Sequence, residues 1–232
     1  MIFTEKQYLN NLEYVEALFT LGGLSECGKT SAGKKFEKMG IRRGKIIKIE
    51  REMMEERGYD LSDGMKDEHF VKLYENQEEA FKEFLFRLIE HMKSENITKA
   101  SIESLYRAPL GAFLKRELGD KCSNIYIEAP VESRAYREML KVNEKAKTEG
   151  TELVTLDEMI ERVKRKDIFK EKHNASDCYD IADYVVDNSS NVTYDEFLKE
   201  IETIAYDTIN KTNNSHSKKD SSKKMVLKKW VR

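Results

Sequence analysis

The sequence predicts an α/β domain of three layers, in which a five-stranded parallel sheet lies between two layers of helices. Two features of the chain predict this class. Five short runs rich in β-branched residues alternate with longer stretches of helical periodicity, and strands separated by helices form parallel sheets through βαβ crossovers. A glycine-rich loop also joins the first of these runs to the helix after it. At 232 residues, the chain is long enough to bury the core of such a domain.

The five predicted strands share a short length and a mostly apolar composition. They occupy residues 15–21, 45–49, 99–103, 123–128 and 183–187. Between the second and third strands, apolar residues recur at three- and four-residue spacing from Phe70 to Met92, which predicts a long helical stretch. A closing amphipathic helix is predicted over residues 193–209, where Thr193 and Glu196 form a capping box.

Residues 131–171 lie between the last two strands and are dense in basic residues, and they are predicted to fold as two helices with a break at Gly150. We therefore expect one domain over residues 1–210, with a helical lid over about residues 131–171. Residues 211–232 contain eight basic residues and one acidic residue among many Ser, Asn and Thr residues. This composition predicts a basic, disordered tail.

The overall composition limits the classes of partner. Charged residues make up 36% of the chain but the formal net charge is only −2, which favours neither nucleic acid nor an acidic partner, except through the basic tail. The three cysteines, Cys27, Cys122 and Cys178, are far apart and odd in number. This pattern predicts a reduced, cytoplasmic protein rather than a disulfide scaffold. No run of 18 apolar residues occurs in the sequence, so no membrane span is predicted.

The motif with the most specific chemistry is Gly-Leu-Ser-Glu-Cys-Gly-Lys-Thr at residues 23–30. It matches G-x-x-x-x-G-K-[ST], the Walker A motif or P-loop, and it lies between a predicted strand and a predicted helix, as the motif requires. Lys29 is expected to reach the β- and γ-phosphates of ATP, and the Thr30 hydroxyl is expected to bind Mg²⁺. The alternative is a glycine turn before an ordinary helix. The expected nucleotide-binding residues are Gly23, Leu24, Ser25, Glu26, Cys27, Gly28, Lys29, Thr30 and Ser31.

The order of motifs resembles the nucleoside monophosphate kinase-like group of P-loop proteins, and within it the dephospho-CoA kinases and an uncharacterised archaeal family of small P-loop kinases. The resemblance covers about residues 15–210. It rests on the P-loop and on four further segments, which are residues 49–51, 102–107, 129–134 and 182–189. The resemblance implies a three-layer P-loop NTPase fold with a helical lid and with ATP and Mg²⁺ as cofactors. It also implies phosphoryl transfer to a small acceptor, first of all a nucleoside monophosphate.

The resemblance implies roles for several residues outside the P-loop. Arg51, with Glu50 beside it, matches the arginine that binds the phosphate of the acceptor. The alternative is that Arg51 opens a helix and pairs with Glu55 one turn later. Glu103 matches a carboxylate that holds Mg²⁺ or orients the acceptor hydroxyl, and the alternative is a helix-capping carboxylate. Arg107 matches, after a shift of one residue, an arginine of the archaeal family and is a second expected acceptor-binding residue.

The resemblance also implies roles for residues of the predicted lid and of the last strand. Arg134 and Arg137 are expected to stabilise charge on the transferring phosphoryl group when the lid closes. Asn188 is expected beside the adenine of the nucleotide. The chain departs from the kinase pattern at Lys48, which stands where the kinases commonly carry an acidic residue before the acceptor arginine. Two alternatives therefore stay open: a kinase of dephospho-CoA or another metabolite, and a nucleotide-binding regulatory protein with little turnover.

Overall fold

The computed structural model describes the backbone of residues 3–229 and the side chains of residues 3–212. Its five strands are β1 (Ala17–Gly22), β2 (Arg42–Lys45), β3 (Lys99–Leu105), β4 (Cys122–Glu128) and β5 (Tyr184–Asp187). All of the strand pairs are parallel, and the order across the sheet is β2-β3-β1-β4-β5. The strand that leads into the P-loop therefore lies at the centre of the sheet.

The helices of the described residues lie on both faces of this sheet, which confirms the predicted α/β class. They are α1 (Glu5–Tyr14), α2 (Lys29–Lys38), α3 (Ile46–Glu56), α4 (Asp67–Leu73), α5 (Gln77–Ser94), α6 (Ala108–Leu118), α7 (Val131–Glu149), α8 (Leu156–Glu171) and α9 (Tyr194–Lys229). Within the described residues, none of these helices combines the length and the apolar character that crossing a bilayer requires.

Two hydrophobic cores form because side chains alternate between the two faces of a strand. Leu18 of β1 packs in the larger core, beneath α3, α5 and α6. Its neighbours Phe19 and Leu21 pack in the second core, beneath α2 and α9. All six residues of β1 are buried, as expected for a central parallel strand covered on both faces.

The segment between β4 and β5 folds as the predicted pair of helices. Gly150 ends α7 in the left-handed conformation, with φ of 68°, a conformation that glycine adopts without steric cost. Thr155 then caps α8 and forms a capping box with Glu158. The two helices share a small core, which contains Ala135, Met159 and Val163.

The second strand lies earlier in the chain than predicted. The prediction placed it at residues 45–49, but β2 ends at Lys45 and α3 begins at Ile46. Ile46, Ile49 and Met53 are all buried, and their three- and four-residue spacing forms the helix face that packs beside α5. Burial on that face overrides the preference of isoleucine for strands. The residues that follow Ile49 therefore lie inside a helix.

The last helix is longer than predicted, because it continues past residue 209 to Lys229. The sequence after Tyr194 contains no glycine or proline, so no residue there interrupts the helical backbone. Side chains after Thr212 lie outside the described residues, and the boundary of the domain at residue 210 stays a prediction.

Candidate active site

The P-loop connects the end of β1 to the start of α2, at the carboxyl edge of the sheet. Gly23 and Gly28 both have a φ of 120°, which side-chain-bearing residues rarely adopt. Both also lack the space for a side chain. A Cβ atom on Gly23 would lie 2.8 Å from the Cys27 sulfur, and one on Gly28 would collide with the side-chain amide of Asn188. The loop therefore requires the two glycines that define the motif.

The P-loop forms one wall of a pocket of about 940 Å³. The opposite wall comes from α7 and α8, and residues around the start of α9 close one end. The charged side chains of the lining are six cations and one acid, namely Lys29, Lys34, Arg137, Lys141, Lys166, Lys170 and Glu26. Three half-exposed side chains, Leu140, Phe169 and Tyr194, add an apolar surface. This pocket suits a ligand that combines a polyanion with an apolar ring.

Lys29 lies against its own loop. Its Nζ donates hydrogen bonds to the carbonyl oxygens of Gly23, at 2.9 Å, and of Leu24, and it lies 3.2 Å from the sulfur of Cys27. Lys29 is 8% exposed. The ammonium group is thus held at the pocket wall by neutral carbonyl groups, which an anionic phosphate oxygen can replace with a stronger charge-assisted bond.

The two expected metal-binding residues lie in contact. The Thr30 hydroxyl donates to Oε2 of Glu103 at 3.2 Å. The other carboxylate oxygen of Glu103 accepts a hydrogen bond from Arg43 of β2. A Cβ atom on Gly33 of α2 would collide with this carboxylate, so the glycine permits the close approach of α2 to β3. The hydroxyl and carboxylate oxygens fit the ligand preference of Mg²⁺, although Arg43 competes for Glu103.

Arg43 was not predicted from the sequence, since the predicted position of the second strand excluded it. Glu103 is 2% exposed and lies inside β3, whereas the sequence placed it at the tip of the strand. The ion pair with Arg43 supplies the charge that an otherwise isolated buried carboxylate requires.

Arg134 supports the P-loop through a buried network. Its Nη1 donates to the carbonyl oxygen of Ser25 and to the Asp167 carboxylate, both at 2.7 Å. Asp167 of α8 also accepts the backbone N–H of Ser25 at 2.8 Å. Arg134 is 4% exposed, and its Nε donates to the carbonyl oxygen of Ala129. The guanidinium group therefore fixes the loop from behind, and no motif in the sequence had indicated Asp167.

A second ion pair joins α8 to the same loop. Nζ of Lys166 lies 2.8 Å from the Glu26 carboxylate. This contact strengthens the charged form of both groups, since Lys166 lowers the pKa of Glu26 despite its partial burial and Glu26 raises the pKa of Lys166. The predicted lid thus rests on the P-loop through two neighbouring residues of α8.

Arg137 and Asn188 meet at the edge of the pocket. Nη1 of Arg137 donates to the backbone carbonyl of Asn188 at 2.8 Å, while Nη2 is buried without a hydrogen-bond partner among the described residues. Burial lowers the pKa of Arg137. The side chain of Asn188 donates to the carbonyl oxygen of Cys27 at 2.7 Å. Asn188 therefore holds the P-loop in place, and Arg137 presents an unpaired donor beside the pocket.

Glu50 and Arg107, both expected to bind the acceptor, come together in a second cluster at the carboxyl side of β3. Glu50 has no exposed surface, and it accepts hydrogen bonds from the hydroxyl groups of Tyr74 at 2.6 Å and Tyr106 at 2.7 Å. Burial raises the pKa of Glu50, while the two tyrosines and Arg107 oppose this effect. Nε of Arg107 lies 3.8 Å from the carboxylate.

Aromatic rings surround the guanidinium group of Arg107. It lies 5.2 Å from the ring centre of Phe70, 4.7 Å from that of Tyr74 and 5.1 Å from that of Tyr106. Its Nε and Nη2 atoms are buried without a hydrogen-bond partner among the described residues. Buried donors are normally satisfied, so these two atoms mark Arg107 as a group that can bind an anionic ligand.

Arg51 lies outside this cluster. Its side chain is 47% exposed on α3, and its Nη1 is 4.0 Å from the Glu55 carboxylate one helical turn later. This geometry matches the alternative given above, in which Arg51 forms a surface pair within its helix. The assignment of Arg51 to the acceptor stays a prediction.

His173 joins the cluster around Arg107 to the pocket at the P-loop. Its ring centre lies 5.1 Å from that of Phe169, which lines the pocket, and 5.6 Å from that of Tyr106. Nε2 of His173 is 3.5 Å from the carboxylate of Asp67. Burial and the nearby charge of Arg107 lower the pKa of His173. The two candidate binding regions are therefore neighbours.

No protein-family model matches the chain, and no curated protein matches it. Solved structures do resemble it. TT1252 from Thermus thermophilus is 13% identical with a TM-score of 0.48, over 82% of this chain and 96% of that protein. A shikimate kinase from Bacteroides thetaiotaomicron is 14% identical with a TM-score of 0.41, over 81% and 96%. A dephospho-CoA kinase from Campylobacter jejuni is 18% identical with a TM-score of 0.41, over 84% and 98%. Two of these three neighbours are thus described as kinases, and one of the two is a dephospho-CoA kinase.

Proposed function

We propose that the protein is an ATP-dependent phosphotransferase that acts on a small acceptor, first of all a nucleoside monophosphate. The observation that carries the proposal is the complete Walker A loop on the central strand. Its Lys29 lines a cationic pocket, and its Thr30 contacts the carboxylate of Glu103. A phosphate-binding loop, a candidate metal site and a pocket of nucleotide size thus lie at one edge of the sheet.

The donor half of the reaction is supported by the pocket itself. Its six cations and one acid favour a triphosphate, and its apolar wall of Leu140, Phe169 and Tyr194 offers a surface for the base. Thr30 and Glu103 would hold Mg²⁺. When bound, the metal would neutralise charge on the β- and γ-phosphate oxygens.

The acceptor half is supported by the cluster around Arg107. The Nε and Nη2 atoms of its guanidinium group lack a hydrogen-bond partner among the described residues. They suit the oxygens of a phosphate or carboxylate, because the planar fork can donate two parallel hydrogen bonds. The aromatic rings of the cluster suit a planar base. A nucleoside monophosphate supplies both a phosphate and a base. The contacting rings of Phe169 and His173 lie between the cluster and the donor pocket, so these two side chains would have to move for an acceptor at Arg107 to reach the γ-phosphate.

Phosphoryl transfer passes through a loose transition state, so the protein contributes position and charge rather than a covalent intermediate. Lys29 and the backbone amides of the P-loop would orient the phosphates of ATP. Arg137, which has an unpaired nitrogen beside the pocket, would add positive charge near the transferring group. Arg134 would act indirectly, by holding the loop in its conformation.

The contact between Arg43 and Glu103 supports an alternative function, that of a nucleotide-binding regulator. Arg43 occupies one carboxylate oxygen of Glu103, and a carboxylate that stays paired in this way is withheld from Mg²⁺. In that case the protein would bind ATP and turn it over slowly. A dephospho-CoA or other metabolite kinase would use the same donor site with a different anion at Arg107.

The test is an ADP-release assay with purified protein and Mg-ATP against a panel of acceptors. The panel contains the nucleoside monophosphates, dephospho-CoA, nucleosides and a hydroxylated carboxylic acid such as shikimate. We expect acceptor-dependent ADP release with at least one nucleoside monophosphate. Release with another member of the panel would reassign the acceptor, and ATP binding without release for any member would favour the regulator. Failure to bind ATP would overturn the proposal.

A further inference from the structure

The cationic side chains around the P-loop pocket differ in whether an acidic side chain neutralises their charge. Lys166 pairs with Glu26 at 2.8 Å, and Lys141 pairs with Glu138 at 3.3 Å. Lys29 is bound to backbone carbonyl groups. Lys170, in the last turn of α8, makes no ion pair with any described acidic side chain, although it lines the same pocket and is half-buried.

Lys170 faces a second ammonium group. Burial lowers the pKa of Lys170 to about 7, and the neighbouring charge of Lys29 acts in the same direction. Cys27 of the P-loop and Asp167 of α8 act in the opposite direction without cancelling the decrease in pKa. The Asp167 carboxylate is already engaged by Arg134 and by the backbone of the P-loop. Two lysines thus meet in a pocket where, among the residues whose side chains are described, no carboxylate is free to balance Lys170.

The other charged groups of the pocket cannot supply that balance. On the side of α7 they are Arg137 and Lys141, both cationic, and on the side of α2 the charged group is Lys34. Glu26, the single acidic side chain of the lining, is held by Lys166. The excess of positive charge in this pocket disfavours the charged form of Lys170 in the free protein. The same excess favours the binding of an anion between Lys170 and Lys29.

We propose that Lys170 is a second phosphate-binding lysine of the donor site, and that it takes up a proton from solvent when a nucleoside triphosphate binds. The inference rests on the nucleotide-binding part of the proposed function. In the free protein a fraction of the Lys170 side chains is neutral, which relieves the repulsion from Lys29. A bound triphosphate brings negative charge beside Lys170 and stabilises its ammonium form.

The number of protons taken up when the nucleotide binds depends on pH. Because the pKa of Lys170 lies at about 7, most Lys170 side chains are neutral at pH 8 and most are charged at pH 6. Proton uptake on binding should follow the same order, approaching one proton per nucleotide at pH 8 and falling as the pH is lowered. The phosphates of Mg-ATP are deprotonated at pH 8, because their last pKa lies at about 6 or below.

The experiment is isothermal titration calorimetry with Mg-ATP and the full chain in buffers of different ionisation enthalpy. The slope of the observed enthalpy against the buffer enthalpy gives the number of protons taken up. For the wild type we expect a slope near one at pH 8. Lys170→Arg, which stays charged, should bind within a few-fold of the wild-type affinity at pH 7 and take up no proton. Lys170→Met should lose the uptake and at least about tenfold in affinity, the scale of one charge-assisted hydrogen bond.

Lys164→Met is the matched control. Lys164 lies on the same helix, is exposed and pairs with Glu161 away from the pocket, so this variant should retain both the affinity and the proton uptake of the wild type. Full uptake in Lys170→Arg, or wild-type affinity in Lys170→Met, would overturn the inference. If the wild type binds Mg-ATP but takes up no proton at pH 8, the inference about Lys170 is refuted and the proposed donor site is not. A wild type that does not bind Mg-ATP would refute the donor site as well.

Discussion

At the scale of single residues, Lys29 is the side chain on which the donor chemistry depends. Lys29→Ala should lower phosphoryl transfer by at least about a hundredfold, the effect of removing one preorganised charge. The fold should survive, because the partners of Nζ are loop carbonyl groups rather than the core. Turnover and circular dichroism measure the two outcomes. Lys35→Ala, which removes a lysine of the same helix paired with Glu202, should leave turnover near the wild type.

Arg107 and Arg51 offer a direct comparison of two arginines for the acceptor. Arg107→Met should raise the KM for the acceptor at least about tenfold with little change in the KM for ATP, because it removes the buried donors of the aromatic cluster. Arg51→Ala removes the same charge from the exposed face of α3 and should change neither constant by more than about twofold. A rise in the acceptor KM for Arg51→Ala alone would support the assignment of Arg51 to the acceptor that the sequence suggested.

The residues of the site differ in how far the sequence predicts them. The P-loop is a local motif, so its position and its glycines can be found without the fold. Glu50 and Arg107 were expected from a resemblance, but their shared aromatic surroundings depend on tertiary packing. Asp167, which accepts the backbone N–H of Ser25, lies far along the chain in a helix that contains several other acidic residues. Contacts of that range leave no periodic signal in a single sequence.

At the scale of elements, the ion pair between Arg134 and Asp167 joins α7 and α8 to the P-loop. Both side chains are largely buried, so either single substitution leaves one charge uncompensated in the interior. We expect Asp167→Asn and Arg134→Met each to lower the free energy of unfolding by about 3 kcal/mol. The double variant should lose less than the sum of the two. Thermal or urea unfolding of the four proteins forms the double-mutant cycle.

An exposed pair on the same helix provides the control for this cycle. Lys164 and Glu161 lie 3.0 Å apart with more than half of each side chain exposed, so Lys164→Ala should change stability by no more than about 0.5 kcal/mol. Additive losses for Arg134→Met and Asp167→Asn would show that the two side chains are not coupled. That result would favour the expectation from the sequence, in which Arg134 stabilises charge on the transferring phosphoryl group when the lid closes.

The strands show which elements a sequence predicts well. β1, β3, β4 and β5 lie close to their predicted positions, and the first three of these are mostly buried along their length. β2 does not, since Arg42-Arg43-Gly44-Lys45 is a polar edge strand. The isoleucines that follow it prefer strands in isolation, but here they form part of a helix because their burial against α5 requires helical spacing.

At the scale of the whole molecule, the buried apolar residues described in the last helix all lie in its first part. Phe197, Ile201, Ile204 and Ala205 bury α9 against the sheet, and all of them precede Thr212. Removal of residues 213–232 should therefore leave the melting temperature within a few degrees of the wild type and should not change basal turnover. Differential scanning fluorimetry and the ADP assay measure both. A fall of ten degrees or more would show that residues 213–232 pack on the body.

The order of the strands has a consequence for the choice of acceptor. β1 lies between β3 and β4, so the chain builds one side of the sheet before it crosses to the other, and the cleft opens at this topological switch point. Under the proposed function, residues 46–94 supply Glu50, Phe70 and Tyr74 to the acceptor side without contributing to the lining of the P-loop pocket. Acceptor preference can therefore be redesigned by exchanging that segment, while the machinery for the nucleotide is left untouched.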